Sequence, residues 1–525
     1  MTKQSLSRRR FVGTGAAATG SLALGLQGTR GRVSPAAAQG QQLEGTIVIS
    51  TIQNPDDQAK QALTDAYNEQ QPGVEIVWET QDTQAGEYST YLGTLLAASD
   101  VRPDIVSGNY VSTFRGYVNL ERYRRQTNPY TGNPWDVDVD WDFYRGTNAA
   151  GERIMLPTRS VHINWFYNKD IFSEVGIQPP TTWEQFTEVS AALAEAGHTP
   201  IVANYDYQVP QWFAEVYFDQ FHTHWIETVR AKPGDWNYIP ELDDAFVYNP
   251  ENPNLHNTYT YNVQRFYKGI ADGELRFDTP EVAAIAENMG QVFPRYATSD
   301  FFVVQDPYPI FLQQQAAIMP SGTWAFGNLK NDLESLSPER LEDLEIDADS
   351  VSTFEWGIFE NPSMEGDLVR SPVRSVESAT GEYLSIVEKS QEQTDLTIDF
   401  LMFWASPAGY QPYLDAQFAA GGFSPSGPLE VQGVDQPPEL VELFETVTLL
   451  GNAEINYNGF WTSGGGGNLR QDLRGLFQDA LEGDLAPDEY ASRLQEYITE
   501  NLDDFLERAD LTRDDIEDPA RQPGT

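Results

Sequence analysis

Short apolar segments that alternate with helix-like segments between residues 46 and 110 constrain the fold more than any other feature of this sequence. Three segments have the length and composition of strands: residues 46–49, 74–78 and 103–107. Between the last two, Tyr88, Leu92 and Leu96 recur on one face of a helix. Repeated strand–helix–strand units predict an α/β fold with a parallel sheet and helices on both faces. Ligands of such sheets bind beyond the carboxyl ends of the strands, here at residues 51–57, 79–86 and 107–112.

The first 38 residues have the character of an export signal and are set apart from the fold. Ser7–Val12 has the form of a twin-arginine signal, and a weakly apolar stretch continues to Leu26. Residues 36–38 are alanines, which a signal peptidase accepts. A membrane anchor or a basic tail is the alternative, but the stretch is short and rich in glycine for a membrane span. We expect twin-arginine export with cleavage after Ala38, and a location in a periplasm or on the extracellular face of the cell membrane.

The chain is strongly acidic, with 33 basic and 79 acidic residues and a net charge of -46. Because the acids are spread along the chain, we interpret the charge as a halophilic surface, adapted to high salt that screens charge repulsion. Nucleic acid is not an expected partner, because binding to phosphates requires clustered basic residues. The sequence contains no cysteine, which excludes disulfides, thiolate chemistry and a lipid-modified cysteine.

Residues 164–172 (NWFYNKDIF), followed by residues 176–186 (GIQPPTTWEQF), form the most distinctive motif of the chain. The motif resembles the signature of the family 1 extracellular solute-binding proteins, in which a strand ends in Tyr-Asn-Lys-Asp and Pro-x-Thr-Trp precedes the next helix. Four further segments resemble the family in the same order: residues 103–106, 317–324, 400–409 and 481–501. The resemblance extends over roughly residues 45–505.

The resemblance implies two α/β lobes that are joined by a hinge and close on a ligand in the cleft between them. Lobe 1 is expected at residues 39–158 with 359–405, and lobe 2 at residues 159–358 with 406–510. The acidic, proline-containing tail at residues 511–525 is expected to fray. By resemblance, the chain is the substrate-binding protein of an ABC importer that captures a sugar or oligosaccharide. Its expected partners are this small-molecule solute and the membrane permease subunits, and we expect a monomer without a cofactor or a metal ion.

Sugar clefts combine flat aromatic faces with fixed polar groups that pair each hydroxyl. The candidate ligand-binding residues are Gln53, Asn109, Tyr110, Arg159, His162, Tyr205, Tyr207, Trp212, Trp324, Phe423 and Trp461. The resemblance implies that Trp324 and Trp461 stack on ligand. Gln53, Asn109 and Tyr110 follow predicted strands, and the other candidates lie in loops or beside the hinge proline. Core packing is the alternative for the aromatic residues, and a hinge ion pair is the alternative for Arg159.

Enzyme and metal-site interpretations have weaker support in the sequence. Alternating aspartates from Asp136 to Asp142 lack the glycine and the glutamate of a calcium-binding loop. His222 and His224 have no third zinc ligand at a characteristic spacing. A glycosidase needs a pair of carboxylates. In a chain with 79 acidic residues such pairs arise by chance, so the sequence neither indicates nor excludes a glycosidase. We therefore expect no enzymatic activity and keep two alternatives, a secreted carbohydrate-active enzyme and a binder of a non-sugar solute.

Overall fold

The structure is a computed structural model that describes residues 42–523, except for 53–56, 81–84, 99–101, 112–113, 142–145, 149, 253, 335, 375–382, 420–426, 445–456 and 464–466. The described residues belong to one compact unit, residues 36–525. The predicted signal at residues 1–38 and the candidates Gln53 and Phe423 lie outside the described residues.

The described strands form two sheets. They are β1 (Glu44–Ser50), β2 (Gly73–Trp78), β3 (Ile105–Ser107), β4 (Leu156–Pro157), β5 (Ile163–Asn168), β6 (Ile318–Gly322), β7 (Trp356–Phe359) and β8 (Tyr383–Ile386). The first sheet has the order β2-β1-β3-β8-β4, and the second has the order β6-β5-β7. β1 pairs in parallel with β2 and β3, as the alternation of the sequence predicts, whereas β8 runs antiparallel to β3 and β4. The second sheet is antiparallel throughout.

Helices cover both sheets. They are α1 (Asp57–Gln70), α2 (Ala85–Ala97), α3 (Trp135–Asp138), α4 (Lys169–Val175), α5 (Trp183–Glu195), α6 (Ala214–His222), α7 (Ile226–Val229), α8 (Pro240–Asp243), α9 (Val263–Ala271), α10 (Pro280–Val292), α11 (Tyr308–Leu312), α12 (Ala325–Glu334), α13 (Pro338–Asp343), α14 (Gln391–Trp404), α15 (Pro407–Ala419), α16 (Pro438–Phe444), α17 (Phe460–Ser463), α18 (Gly467–Glu482), α19 (Pro487–Glu500), α20 (Leu502–Arg508) and α21 (Arg513–Glu517). No helix in the described part of the chain is long and apolar enough to cross a membrane.

The distinctive motif of residues 164–186 builds a strand-to-helix turn and two helix starts. The Asn168 side chain caps α4 by accepting hydrogen bonds from the backbone N–H groups of Asp170 and Ile171. Gly176 ends α4 in the left-handed conformation, and Thr182 caps α5 through the N–H of Gln185. The regularity of the motif therefore reflects local structure.

One short segment connects the sheets directly, and a second segment runs beside it. Residues 158–162 run directly from β4 of the first sheet to β5 of the second. Residues 427–430 run alongside them: the Ser160 N–H donates to the Pro428 carbonyl (3.0 Å), and the Glu430 N–H donates to the Thr158 carbonyl (2.9 Å). Main-chain hydrogen bonds of this kind hold the connection as a short two-stranded ladder.

α15 differs from the expected lobe assignment. The helix lies in the segment predicted for lobe 2, but it packs on α1, and its residues Tyr410, Tyr413 and Leu414 join the hydrophobic core of the first sheet. α14 precedes it in the same core, so the two consecutive helices bury their apolar side chains together. The remaining lobe boundaries stay predictions.

The C-terminal segment is packed, and the expectation that residues 511–525 fray is wrong for the described residues 511–523. Ile516 in α21 is 1% exposed and lies in the core of the second sheet. The Gln264 side-chain amide of α9 donates to the backbone carbonyls of Asp515, Asp518 and Arg521. Because one buried isoleucine and three accepted hydrogen bonds anchor it, this segment is part of the fold despite its acidic composition.

Candidate functional site

The strand order brings two surfaces to the connection between the sheets. β3 and β4 both run antiparallel to β8, so their carboxyl ends lie at the same edge as that of β1. β4 leaves this edge through residues 158–162 and enters β5, where Ile163 pairs with Gly322 at the end of β6. The carboxyl edge of the first sheet and the end of β6 therefore both adjoin the connection.

The surface at the first sheet is built around a buried tyrosine. The Tyr88 hydroxyl of α2 donates to the Ser50 carbonyl (2.6 Å) and accepts from the Ser107 N–H (3.3 Å), which joins the ends of β1 and β3. Burial raises the pKa of Tyr88 to about 12, so the phenol stays protonated as a donor. The ring of the half-buried Tyr110 lies edge-on to it at 5.3 Å. Asn109 occupies the same 3₁₀ turn, Gly108–Val111.

The surface at the second sheet is a groove with a volume of about 310 Å³. The residues that line it include Asn204, Tyr207, Gln208, Trp212, Gln305, Asp306, Tyr308, Ser321, Trp324, Asn328 and Arg340. Three predicted residues, Tyr207, Trp212 and Trp324, meet here. The ring of Trp212 lies edge-on to Tyr207 at 5.1 Å and to Trp324 at 5.9 Å. Tyr207 is 44% exposed and Trp324 is half-buried, so aromatic surface is accessible in the groove.

Backbone irregularities place these aromatic side chains. Gln208–Phe213 is a π-helical turn, which carries Trp212 beside the end of β6. A Cβ on Gly322 would lie 2.0 Å from the Trp324 ring. Only glycine at this position lets the indole fold back over the strand end.

Side-chain amides lock the loop in front of the groove. The Gln208 side chain accepts from the Asn204 N–H (2.8 Å) and donates to the Pro320 carbonyl (3.1 Å). The Asn204 side chain accepts from the Tyr207 N–H (2.7 Å) and donates to the Gln305 carbonyl (2.7 Å). These bonds tie the π-helical turn to β6, so the groove is largely preformed.

The charged groups at one end of the groove neutralise each other. Arg340 forms an ion pair with the buried Asp332 (3.0 Å), and the Tyr308 hydroxyl donates to the same carboxylate (2.7 Å). Burial raises the pKa of Tyr308, which keeps this donor protonated. Asp332 lies behind the lining, and Asp306 is the acid among the described lining residues. Aromatic faces and carboxamides therefore dominate the chemistry of the groove.

Arg159 and His162 lie in the connection and outside the groove lining. Arg159 is buried, and its guanidinium donates to the Tyr410 hydroxyl (2.7 Å) and the Gln417 carbonyl oxygen (3.0 Å) of α15. His162 is also buried, which lowers its pKa to about 3. The backbone N–H of His162 donates to the Thr323 hydroxyl (3.3 Å). The two Arg159 hydrogen bonds join the connection between the sheets to α15.

Tyr205 and Trp461 pack in the core of the second sheet and are not among the described residues that line the groove. The Tyr205 hydroxyl donates to the Arg474 carbonyl (2.6 Å), and its ring packs on Phe301 and Phe302. Trp461 is 0% exposed and packs against Phe218 and Phe477. Both aromatic residues therefore pack in the core, which is the alternative that the sequence analysis gives for them.

Several lining residues were not among the sequence candidates. Asn204 and Gln208 lie within the polar loop that carries Tyr207, and Ser321 lies three residues before Trp324. Their closeness in sequence to a candidate residue could have identified them. Gln305, Tyr308 and Asn328 had no such signal, because only the packing of α11 and α12 beside β6 brings them to the groove.

Two of the residues considered for metal binding, Asp138 and His222, make other contacts. The buried Asp138 carboxylate accepts hydrogen bonds from the side chains of Asn128 (2.8 Å), Thr131 (2.7 Å) and Asn133 (3.2 Å). His222 stacks on Phe218 at 4.0 Å, and burial lowers its pKa to about 3. The Asp138 carboxylate therefore stabilises the loop at residues 128–138, and the His222 ring packs against a core phenylalanine.

The two sheets, their helices and the direct connection between them match the two-lobed fold of periplasmic binding proteins. Residues 51–411 match the family described as "Bacterial extracellular solute-binding protein". The chain belongs to this family of extracytoplasmic solute-binding proteins, whose members are binders and in general not enzymes.

Solved structures support the same fold. A chitin oligosaccharide binding protein superposes with a TM-score of 0.54 at 15% identity, over 87% of this chain and 99% of that chain. The cyclic α-maltosyl-1,6-maltose binding protein from Arthrobacter globiformis superposes with a TM-score of 0.53 at 16% identity, over 87% and 99%. The binding protein RafE in complex with raffinose superposes with a TM-score of 0.51 at 15% identity, over 87% and 99%.

Proposed function

We propose that this chain is the capture protein of an ABC importer and that it binds a neutral sugar or oligosaccharide in the groove beside β6. The observation that carries the proposal is accessible aromatic surface, Tyr207 and Trp324, beside the carboxamide of Asn328. The amides of Asn204 and Gln208 each use one N–H and one lone pair in the loop, which leaves a second N–H and a second lone pair on each. Aromatic faces pack against the C–H faces of a sugar ring, and amides both donate to and accept from its hydroxyls. The neutralised Arg340–Asp332 pair disfavours a strongly anionic ligand.

The proteins of similar structure support this ligand class, since they are described as binding a chitin oligosaccharide, as a complex with raffinose and as binding cyclic α-maltosyl-1,6-maltose. The carboxyl edge of the first sheet, with Tyr110 and Asn109, is the second half of the proposed cleft. We infer that residues 158–162 and 427–430 act as hinge segments and that the lobes close on the bound solute.

Thermal unfolding with a panel of neutral oligosaccharides tests ligand binding, because a ligand that binds only the folded state raises stability with its concentration. The expected result is a saturable rise in the unfolding temperature with at least one saccharide and no rise with amino acids or inorganic anions of equal concentration. A rise only with non-sugar solutes would favour that alternative.

Two further measurements separate the binder from the enzyme. Small-angle scattering with and without a saturating ligand should show a smaller radius of gyration in the complex. Chromatography of the ligand after prolonged incubation should recover it unchanged, whereas shortened oligosaccharides would favour a secreted carbohydrate-active enzyme. N-terminal sequencing of the native protein tests the proposed export, with a start at Gln39 expected.

A further inference from the structure

One nitrogen of Arg340 remains available at the solute groove. The Nε and Nη2 atoms of Arg340 donate to the carboxylate of Asp332, at 3.2 Å and 3.0 Å. Nη1 makes no hydrogen bond to a described residue, and it is not one of the buried polar atoms that lack a partner, so it is open to solvent. Arg340 lines the groove, and its side chain is 34% exposed. Because a guanidinium nitrogen donates and does not accept, a group that binds here must offer an acceptor oxygen.

Asp306 supplies an acceptor at the same end of the groove. The residue is exposed and lines the groove, and one oxygen of its carboxylate accepts from the Tyr308 N–H (3.0 Å). The guanidinium of Arg340 lies over the ring of the same tyrosine, 5.7 Å from its centroid. A donor and an acceptor therefore adjoin one residue, and one bound saccharide can reach both.

The lining next to Arg340 is apolar. Leu344 lies one helical turn after Arg340, and its N–H donates to the Arg340 carbonyl (3.0 Å). Leu344, Ala325 and Met319 line the groove and belong to one hydrophobic cluster, against which the Tyr308 ring packs. A small apolar group beside the guanidinium would be removed from water by these side chains.

We propose that this end of the groove binds the acetamido group of an N-acetylated sugar. The inference rests on the proposed function and narrows it to one class of saccharide. The acetamido carbonyl accepts from Nη1 of Arg340, and the acetamido N–H donates to the carboxylate of Asp306. The methyl group packs against Leu344. Each part of the substituent thus meets a group of matching chemistry.

Other common sugar substituents match fewer of these groups. A hydroxyl can accept from Nη1 of Arg340, but it has no methyl group to bury. The carboxylate of a uronic acid has no N–H for Asp306 and lies near a second acid, Asp332, behind the lining. An ammonium group has no lone pair for Nη1. The acetamido group is neutral and carries a donor, an acceptor and an apolar end.

Isothermal titration of the whole protein tests the inference with pairs of sugars that differ in the acetamido group. The pairs are N-acetylglucosamine with glucose, N-acetylgalactosamine with galactose, and diacetylchitobiose with cellobiose. We expect a preference of about tenfold or more for the acetylated member of at least one pair, the scale of one buried methyl group and one charge-assisted hydrogen bond.

Two variants assign the preference to this end of the groove. Arg340→Lys keeps a cation beside Asp332 but lacks Nη1, so the preference should fall by about tenfold. Asp306→Ala removes the acceptor, and the preference should fall by about threefold. Arg276→Lys is the matched control, because Nε and Nη2 of Arg276 donate in the same way to Asp278 and the residue is not among the described groove lining. The control should keep the full preference.

The contrary outcomes separate this inference from the proposed function. Equal affinity within every pair, a preference for the hydroxyl members, or binding only of saccharides without acetamido groups would overturn the inference while saccharide capture stands. An unchanged preference in both variants would show that the acetamido group is bound elsewhere. Should Arg340→Lys fail to fold, Asp306→Ala decides, because Asp306 is exposed. No binding of any saccharide would overturn the proposed function and this inference with it.

Discussion

Gly427 lies against Ser160 so closely that a Cβ on Gly427 would be 1.7 Å from the Ser160 carbonyl oxygen. Ser160 lies in the segment that runs from β4 to β5, and Gly427 lies in the segment beside it, where the neighbouring Ser160–Pro428 hydrogen bond is 3.0 Å long. The two nearest atoms belong to the main chain of Ser160, and main-chain atoms yield less readily than the end of a flexible side chain. The close approach of the two segments therefore requires glycine.

Gly427→Ala is expected to destabilise the protein by about 1–3 kcal/mol, the usual cost of overpacking a filled site. Urea unfolding measures the change. Gly475→Ala is the matched control, because a Cβ there meets nothing within 4 Å and the residue lies inside α18. The control should be neutral or more stable by about 0.5–1 kcal/mol. Equal effects of the two substitutions would contradict the close approach.

Local patterns in the sequence predict much of the fold and part of the site. The alternation of residues 46–110 predicts the parallel arrangement of β1, β2 and β3, and the motif around Asn168 predicts a strand-to-helix turn. Trp324 and Trp461 were equivalent candidates, yet only Trp324 reaches the groove. The difference depends on α17 packing between helices far apart in the chain, which no local pattern encodes. Arg159 illustrates the same limit, since its partner Tyr410 is 251 residues away.

Trp324→Ala is expected to weaken saccharide binding by about 1.5–3 kcal/mol, the scale of a buried large apolar side chain. Isothermal titration of the best ligand from the oligosaccharide panel measures the change. Trp356→Ala is the matched control, because this half-buried tryptophan packs on Phe166 and Phe326 in the same sheet but outside the groove lining. The control should lose stability and retain affinity. Unchanged affinity of Trp324→Ala would remove this residue from the proposed site.

Acidification is expected to destabilise the fold through its buried histidines. Burial lowers the pKa of His162 and of His222 to about 3 and that of His224 to about 4, below the ordinary value of 6.5. The unfolded chain therefore takes up protons below pH 6.5 that the folded chain does not. The stabilisation is fully present above pH 6.5 and is lost as the pH falls from 6.5 towards 3, by up to about 1.4 kcal/mol per pH unit for each imidazole.

Urea unfolding of His162→Asn across this range measures the contribution of one imidazole. The slope of the free energy of unfolding against pH should decrease by one proton between pH 6 and pH 4. Above pH 7.5 both proteins should show the same slope, which serves as the internal control. An identical slope in the acid range would show that His162 does not remain neutral in the folded state.

Low salt is expected to destabilise a chain with a net charge of -46. The screening length falls from about 10 Å at 0.1 M salt to about 3 Å at 1 M, so repulsion between surface carboxylates nearly vanishes at the higher concentration. Thermal unfolding in potassium chloride from about 0.05 M to about 3 M measures the effect. A flat dependence would contradict the halophilic interpretation of the composition.

Ile516→Ala is expected to destabilise the protein by about 2–5 kcal/mol, the usual cost of truncating a buried aliphatic side chain. Ile516 in α21 is 1% exposed. The adjacent carbonyl of Asp515 accepts a hydrogen bond from the Gln264 side-chain amide of α9 (2.6 Å). Losing the isoleucine packing would therefore also weaken the contact between α21 and α9. Val247→Ala is the control, because Val247 is 76% exposed and its truncation leaves no cavity. Urea unfolding should separate the two variants clearly. A stability of Ile516→Ala equal to that of the control would mean that the acidic C-terminal segment frays after all, as its composition alone predicts.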